Sequence, residues 1–252
     1  MFLIADIGNT HSKFALYNYK SQKIYNLKTF QTNSIHKNKK FFSLIKKNKI
    51  KYFVATSVVP NVYKAIKKIL RNNRIKCFEI LDKKFYNPIK INIRKPKQVG
   101  SDRIANVIAA NYLYKTNCVI VDFGTATTFD ILDNDGVYQG GLITPGIRLS
   151  LITLNSLTAL LPLIKLKKTS QIIGKDTVSA MNSGIYWGYV SMMNGILDKI
   201  ISSTKKKYKV ILTGGLSSIF YNSLKYKSIV DRNITLRGVI EVINCNRKVF
   251  NL

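Results

Sequence analysis

Apolar positions along the chain predict an alternation of strands and helices. Short apolar runs bounded by turn-forming residues predict strands, and apolar residues three or four apart predict helices. In the first half these patterns predict strands at 2–7, 13–17, 24–30, 51–58 and 75–81, and helices at 36–48, 62–70 and 102–114. Ser101 is predicted to cap the last of these helices. The buried face of that helix would carry Ile104, Val107, Ile108 and Tyr112.

The same order of elements restarts near residue 118. Strands are predicted at 118–123, 128–132, 137–143 and 209–213, and helices near 146–159, 176–202, 217 and 237–245. Each half therefore begins with a strand, an Asp-x-Gly turn and a second strand, as in Asp6-Ile7-Gly8-Asn9-Thr10 and Asp122-Phe123-Gly124-Thr125-Ala126. We predict an α/β fold of two similar domains, residues 1–115 and 116–252, with a cleft between them.

The strong positive charge of the chain raises the question of whether it binds nucleic acid. The 252 residues include 41 Lys and Arg against 12 Asp and Glu, a formal net charge of +29. Such an excess is typical of proteins that bind nucleic acids, but there the basic residues usually cluster on one face. Here they are scattered along the whole chain, together with abundant Asn, Ile and Tyr. Biased composition explains this better, so we predict no specific nucleic-acid partner, although loose attraction to polyanions follows from charge alone.

Cysteine and hydropathy patterns predict a cytoplasmic protein with no membrane association. Three widely spaced cysteines form no CxxC pair, which fits a reducing compartment. No signal peptide is visible, and the most apolar long window, 146–164, is too polar to span a bilayer. The chain also lacks the P-loop and dinucleotide fingerprints, and its content of only two histidines argues against a multi-histidine metal site.

The two Asp-x-Gly turns are the strongest candidates for chemistry. Glycine lets backbone N–H groups approach a phosphate closely, and neighbouring Thr and Asn side chains add donors. Asp6 and Asp122 would not touch phosphate, since like charges repel, but would hold Mg²⁺ or another cation that bridges to it. The alternative is a pair of ordinary hairpin turns, in which Asp and Gly are common.

Three further stretches carry weaker signals. Asp102 and Arg103 follow Gly100 in a helix's first turn, either as a general base beside an anion site or as a plain acid favouring the helix dipole. The stretch Gly140–Leu151 could close a cleft wall or only lead a strand into a helix. Gly214-Gly215 could let an adenine lie against the backbone or form a simple turn between strand and helix.

Seven motifs together resemble the type III pantothenate kinases. They are DIGNT (6–10), VGSDR (99–103), VDFGTATTFD (121–130), GGLITPG (140–146), SLTALLP (156–162), GKDT (174–177) and TGG (213–215), in the order found in that family. The resemblance implies the fold of the actin/hexokinase/acetate kinase superfamily, built from two ribonuclease-H-like domains. It also implies ATP-dependent phosphorylation of pantothenate, the first step of coenzyme A synthesis, by a cytoplasmic homodimer with shared active sites.

The resemblance also implies roles for particular residues. Asp102 would accept the proton of pantothenate, Asp122 would bind K⁺ or NH₄⁺, and Thr125 would contact ATP. Pantothenate would lie against Gly100, Ser101, Asp102, Arg103 and, from the partner subunit, Thr177. The ATP phosphates would lie against Asp6, Ile7, Gly8, Asn9, Thr10, His11, Ser12 and Lys13. From the residues themselves, we expect Mg²⁺ near Asp6.

Three other functions stay open on sequence alone. A regulatory relative would keep the fold without turnover, but all three aspartates are present. A polyanion-binding accessory protein would use the +29 charge and turn over no ATP. A phosphatase of the same superfamily would release ADP without any need for pantothenate.

Overall fold

Two mixed β-sheets with flanking helices form the chain in its computed structural model, which describes residues 1–46 and 48–252. The strands are β1 Phe2–Ile7, β2 His11–Asn18, β3 Lys23–Gln31, β4 Tyr52–Ser57, β5 Lys76–Glu79, β6 Lys90–Ile91, β7 Cys118–Phe123, β8 Ala126–Leu132, β9 Val137–Pro145, β10 Lys209–Gly214 and β11 Ser228–Val230. The helices are α1 Lys39–Lys46, α2 Pro60–Asn72, α3 Ser101–Tyr114, α4 Ile147–Ser156, α5 Thr177–Thr204, α6 Ser217–Phe220 and α7 Ile234–Cys245. None of these helices combines the length and apolarity needed to cross a bilayer.

The chain divides into two units that differ slightly from the two predicted domains. The first unit comprises Met1–Tyr114, Gly136–Tyr138 and Asn233–Leu252, and the second comprises Lys115–Asp135 and Gln139–Arg232. The main change of unit falls beside the predicted boundary at 115/116. The last twenty residues, however, belong with the first unit, whereas the domain prediction groups them with the second half.

Packing of α7 against α3 explains why the end of the chain belongs to the first unit. A Cβ placed on Gly238 would lie 1.9 Å from the carbonyl oxygen of Ala105, so the two helices approach closely only because residue 238 is glycine. Beside this crossing, the Thr235 hydroxyl donates a buried hydrogen bond of 2.8 Å to Asn106 Oδ1. The close approach of the two helices, together with this hydrogen bond, explains why so many small residues of α3 are buried.

The sheet of the first unit has the order β3-β2-β1-β4-β5. β1 pairs antiparallel with β2 and parallel with β4, so it lies in the middle of the sheet. Its residues are apolar on both faces up to Asp6, as expected of a strand that is covered on both sides. The core on one face includes Leu3, Phe14, Phe41 and Phe53.

The second sheet has the order β11-β10-β7-β8-β9-β6. β7 is its counterpart of β1: it pairs antiparallel with β8 and parallel with β10. Phe123, at the end of β7, stacks on Phe220 with ring centroids 5.1 Å apart, and Phe220 stacks on Tyr186 of α5 at 5.6 Å. Aromatic packing therefore anchors the end of the strand that carries Asp122.

Most predicted elements are present, with boundaries that differ by a few residues, but the predicted helix 36–48 is wrong in its first part. Thr32–Lys37 forms a 3₁₀ turn, and α1 begins only after Asn38. The Asn38 side chain accepts a hydrogen bond of 2.9 Å from the backbone N–H of Lys40, so it caps a new helix instead of continuing the old one. Lys47, within the predicted range, lies outside the described residues.

Two expectations for α3 are also wrong. Ser101 is not the cap, because its hydroxyl accepts a hydrogen bond of 2.9 Å from the backbone N–H of Ser57. The carbonyl of Gly100 accepts the first intrahelical bond instead, from Ile104 N–H at 3.2 Å. Tyr112 is 58% exposed, whereas Ile104, Val107 and Ile108 are buried as predicted.

Candidate active site

The loop that joins β1 to β2 is closed and braced by hydrogen bonds. Gly8 N–H bonds to the carbonyl of His11 at 3.2 Å, and a Cβ on Gly8 would lie 3.0 Å from that oxygen. The Thr32 hydroxyl donates to the carbonyl of Gly8 at 2.7 Å and lies 2.9 Å from the Ser12 hydroxyl. The loop is therefore held in one shape by the residue that follows β3.

This bracing divides the segment predicted to bind ATP phosphates into two groups. Ile7 and Ser12 are buried and support the loop, while Asn9 and His11 are exposed at its tip. His11 Nε2 lies 3.3 Å from Nε2 of Gln31 on β3. Gly8, Thr10 and Lys13 are partly exposed. Any direct contact with a phosphate would therefore come from the tip and from backbone N–H groups.

Asp6 lies at the end of β1 between two polar neighbours. In register it faces Lys13 on β2 and Thr56 on β4, and the Thr56 hydroxyl donates to Asp6 Oδ1 at 3.1 Å. Burial and, as a smaller cause, the negative charge of Asp102 raise the pKa of Asp6 from 3.8 to about 6, against the opposing effects of Lys13 and Thr56. The first unit therefore brings the two predicted acids, Asp6 and Asp102, within electrostatic reach of each other.

This raised pKa predicts that Asp6→Asn stabilises the protein at neutral pH. Above about pH 6 the folded wild type keeps a desolvated carboxylate ionised, and this penalty disappears below about pH 4, where Asp6 is protonated in both states. We expect the free energy of unfolding of the variant to exceed that of wild type by about 1–3 kcal/mol at pH 7.5. Urea denaturation at pH 7.5 and pH 4 measures the difference.

A matched control for this prediction is Asp135→Asn, which removes an exposed carboxylate from the β8–β9 hairpin. It should show no comparable gain at pH 7.5. Equal or lower stability of Asp6→Asn at pH 7.5 would contradict the prediction.

Asp102 lies in the first turn of α3, where its side chain folds back over Gly100. A Cβ on Gly100 would lie 2.5 Å from Asp102 Oδ1 and 3.3 Å from Val58, so a side chain at this position would displace the carboxylate. Asp102 Oδ1 accepts the backbone N–H of Arg103 at 2.8 Å. Burial raises the pKa of Asp102, against the opposing effects of that hydrogen bond and of the Arg103 charge.

Ser57 and Thr56, which belong to none of the sequence motifs, connect the two acids. Thr56 bonds to Asp6, and its neighbour Ser57 bonds to the buried Ser101 that opens α3. The last two residues of β4 therefore fix the end of β1 and the start of α3 together. The available signal is a polar pair that ends the apolar run of β4, although nothing in the sequence identifies its partners.

Asp122 and Thr125 belong to the second unit, where two glycines from other elements pack against their loop. A Cβ on Gly146, just before α4, would lie 2.1 Å from the carbonyl oxygen of Thr125. A Cβ on Gly214 would lie 2.7 Å from Asp122 Oδ1 and 2.6 Å from the carbonyl oxygen of Phe123. The motifs GGLITPG and TGG thus support the Asp-x-Gly turn of this unit.

The carboxylates of Asp6 and Asp122 suit cations that are bound by few protein ligands. Among the residues that the structure describes, no three His, Cys, Asp or Glu side chains gather as a metal site. A cation at Asp6 or Asp122 would therefore need hydroxyl, water or phosphate oxygens as well. Mg²⁺ in phosphoryl-transfer enzymes is bound in this way, through one or two carboxylates and the substrate phosphates.

Thr177 is the first residue of α5 and is exposed. Asp176 caps the helix: its carboxylate accepts the backbone N–H of Ser179 at 2.9 Å, and the Ser179 hydroxyl lies 3.1 Å from the backbone nitrogen of Asp176. A Cβ on Gly174 would lie 2.2 Å from the backbone nitrogen of Ala180, so the preceding loop packs tightly on this turn. The GKDT motif thus fixes the position of Thr177 through the loop and cap around it.

Comparison with known proteins identifies the family. The family model for type III pantothenate kinase matches residues 2–199. The chain belongs to this family. A type III pantothenate kinase from Pelagibacter ubique is 41% identical over 244 residues, which cover 95% of this chain and 97% of that protein. A second, from Persephonella marina, is 37% identical and covers 96% and 98% of the two chains.

Solved structures confirm the α/β fold predicted for this chain. A Campylobacter jejuni protein described as a Baf family transcriptional activator matches with a TM-score of 0.63 and 21% identity, covering 99% of this chain and all of that one. A Sinorhizobium meliloti protein described as a 2-dehydro-3-deoxygalactonokinase matches with a TM-score of 0.62 and 10% identity over the full length of both. At these identities the likeness concerns the fold alone.

Proposed function

We propose that the chain transfers the γ-phosphoryl group of ATP to pantothenate and forms 4'-phosphopantothenate, the first step of coenzyme A synthesis. Family membership supports the reaction, and one observation carries its assignment to residues. Asp102 of the GSDR motif lies close enough to Asp6 of the DIGNT motif to raise its pKa. Two predicted roles, proton acceptance and cation binding, thus fall on neighbouring carboxylates of one unit.

Asp102 would orient the primary hydroxyl of pantothenate and accept its proton. The transition state of phosphoryl transfer is loose, so positioning and neutralisation of charge contribute more than early deprotonation. The bond from Arg103 N–H to Asp102 Oδ1 fixes the carboxylate direction, and Oδ2 would face the substrate hydroxyl. Burial, which raises the pKa of Asp102, also makes the carboxylate a better proton acceptor.

Arg103 would bind the carboxylate of pantothenate, because a planar guanidinium matches two carboxylate oxygens. The backbone N–H groups at the start of α3 add a favourable site for the same anion. Gly100 would let the substrate approach the backbone closely. These assignments give Gly100, Asp102 and Arg103 one task, which is to hold pantothenate with its hydroxyl at Asp102. The buried Ser101 would support them through its hydrogen bond to Ser57.

The ATP phosphates would lie over the loop from Asp6 to Lys13 and against Thr125. Mg²⁺ near Asp6 would neutralise charge on the phosphates when it is bound. Lys13 would add a positive charge beside Asp6, and Gly8, Asn9 and Thr10 would offer backbone and side-chain donors. Asp122 would hold K⁺ or NH₄⁺, a smaller positive charge that would assist phosphate binding.

We further infer a homodimer in which Thr177 contacts pantothenate in the partner's site. Just before Thr177, five large apolar side chains are mostly exposed: Leu157, Leu160, Leu163, Ile172 and Ile173. The segment beside Ile172 is held against α5, since Trp187 Nε1 donates to the carbonyl of Gln171 at 3.1 Å. An exposed apolar surface of this kind is typical of a protein interface. Sedimentation equilibrium that gives the mass of one chain at micromolar concentration would contradict the dimer.

An ADP-release assay tests the reaction itself. We expect ADP to appear only when pantothenate is added, and replacement of K⁺ by Na⁺ to lower the rate. ADP release without pantothenate would indicate a phosphatase of the same superfamily. No release under any condition would favour a regulatory relative, or, if DNA binds with steep salt dependence, a polyanion-binding protein. The family also favours a cytoplasmic location, which recovery of the activity in a membrane pellet would contradict.

A further inference from the structure

Thr213 holds a buried hydroxyl beside Asp122. The two residues face each other in register on the parallel strands β10 and β7, whose spacing is about 4.8 Å. Their side chains therefore point to the same face of the sheet. Thr213 is 1% exposed, and within the described residues its hydroxyl has no hydrogen-bond partner. Leaving a buried hydroxyl without a partner costs about 1–3 kcal/mol, so the position calls for a ligand.

Two neighbouring threonines differ from Thr213 in the direction or the partner of their hydroxyls. Thr128 faces Asp122 from the other side, on β8, but its hydroxyl points to Asp130 Oδ2 at 3.4 Å. Thr127 also has a buried hydroxyl without a partner among the described residues, but it pairs with Phe123 and thus points to the opposite face. Of these three threonines, Thr213 is therefore the one whose hydroxyl lies on the Asp122 face and has no partner in the described part of the chain.

The backbone after Thr213 wraps around the same carboxylate. Gly214 has a φ of +86°, and a Cβ there would lie 2.7 Å from Asp122 Oδ1. The end of β10 thus meets Asp122 with a bare backbone and one free hydroxyl. Oxygen atoms from a carboxylate and a neutral hydroxyl suit a weakly polarising cation, which needs several hard ligands and little charge.

We propose that the Thr213 hydroxyl is a second protein ligand of the monovalent cation at Asp122. This inference rests on the proposed cation-binding role of Asp122. The cation gives the buried hydroxyl the partner that it lacks in the protein alone. Thr213 thereby couples the end of β10 to the loop that carries Thr125.

Thermal unfolding in KCl and in NaCl of equal ionic strength tests the proposal without measuring turnover. The samples contain a non-hydrolysable ATP analogue and Mg²⁺, and the variants are Thr213→Val, Thr213→Ser, Asp122→Asn and the control Thr127→Val. We expect K⁺ to raise the Tm of wild type, Thr213→Ser and Thr127→Val. Thr213→Val should need at least about tenfold more K⁺ for half of that rise, in the range seen when a group that supports a metal is removed.

In NaCl, the stability of Thr213→Val relative to wild type is expected to change in the opposite direction from that in KCl. There Thr213→Val should be at least as stable as wild type, because it removes a hydroxyl that has no partner. A wild-type K⁺ midpoint in Thr213→Val overturns the proposal, and so does a loss of stability in NaCl, which would mean that the hydroxyl has a structural partner. If Asp122→Asn loses the K⁺ response and Thr213→Val keeps it, only this inference fails. If wild type shows no K⁺ response, the cation role of Asp122 fails and Thr213 with it.

Discussion

Asp102→Asn is expected to lower kcat by about 10²–10⁴, the range for a positioned acid–base group, with less than about a tenfold change in KM for pantothenate. Asn has nearly the shape of Asp, and its Oδ1 can still accept the Arg103 N–H bond that is 2.8 Å long in the wild type. The start of α3 should therefore keep its structure. What disappears is the negative charge and the ability to accept the hydroxyl proton. Steady-state kinetics with varied pantothenate measure both constants.

The same variant has a second expected effect, on Asp6. The charge of Asp102 raises the pKa of Asp6, so its removal should favour the ionised form and lower that pKa from about 6. Carboxyl ¹³C chemical shifts of Asp6, followed against pH, measure the change. The exposed Asp135→Asn variant removes the same charge and should leave both kcat and the Asp6 titration unaltered.

Two outcomes would contradict these assignments. Turnover of Asp102→Asn near the wild-type rate would remove the role of Asp102 as proton acceptor. An unchanged Asp6 titration would mean that the two carboxylates do not interact in solution. Because the two readouts are independent, loss of turnover with an unchanged titration would leave the catalytic role intact and contradict only the coupling.

Elements that are defined by their own local sequence are predictable, whereas elements that depend on contacts with distant parts of the chain are not. β7 has the predicted bounds, because a fully apolar run between polar residues and an Asp-x-Gly turn defines both of its ends locally. β6 and β11, only two and three residues long, have no local pattern, and they exist because neighbouring strands pair with them. The place of α7 was equally hidden, since Gly238 and Ala105 meet across more than a hundred residues.

The residues of the candidate site show the same difference between local and long-range signals. Asp6, Asp102 and Asp122 are visible in sequence because glycines flank them in turns at the ends of elements. The groups that hold them, such as Thr56 and Thr213, are ordinary threonines at the ends of apolar strands. Only the register of β4 against β1, and of β10 against β7, makes them neighbours of the acids. A single sequence therefore predicts the reactive groups better than the residues that position them.

Gly214→Ala is expected to lower the free energy of unfolding by about 2–5 kcal/mol. Gly214 has a φ of +86°, and a left-handed conformation costs a residue with a Cβ about 1–2 kcal/mol. The added methyl would also lie 2.6 Å from the carbonyl oxygen of Phe123 and 2.7 Å from Asp122 Oδ1, an overlap that costs about 1–3 kcal/mol. Urea denaturation measures the loss, and displacement of Asp122 should raise the K⁺ concentration needed for activity.

The adjacent Gly215 offers a matched control that also separates the two interpretations of the Gly-Gly pair. A Cβ on Gly215 would meet no atom within 4 Å, so Gly215→Ala should change stability by less than about 0.5 kcal/mol. If an adenine lies against this open backbone, the same variant should raise KM for ATP. Similar stability losses in both variants would show that the turn as a whole resists side chains and would contradict a specific contact of Gly214 with Asp122. A stable Gly215→Ala with an unchanged KM would instead place the adenine elsewhere and leave the role of Gly214 untouched, because that role depends only on its packing against the end of β7.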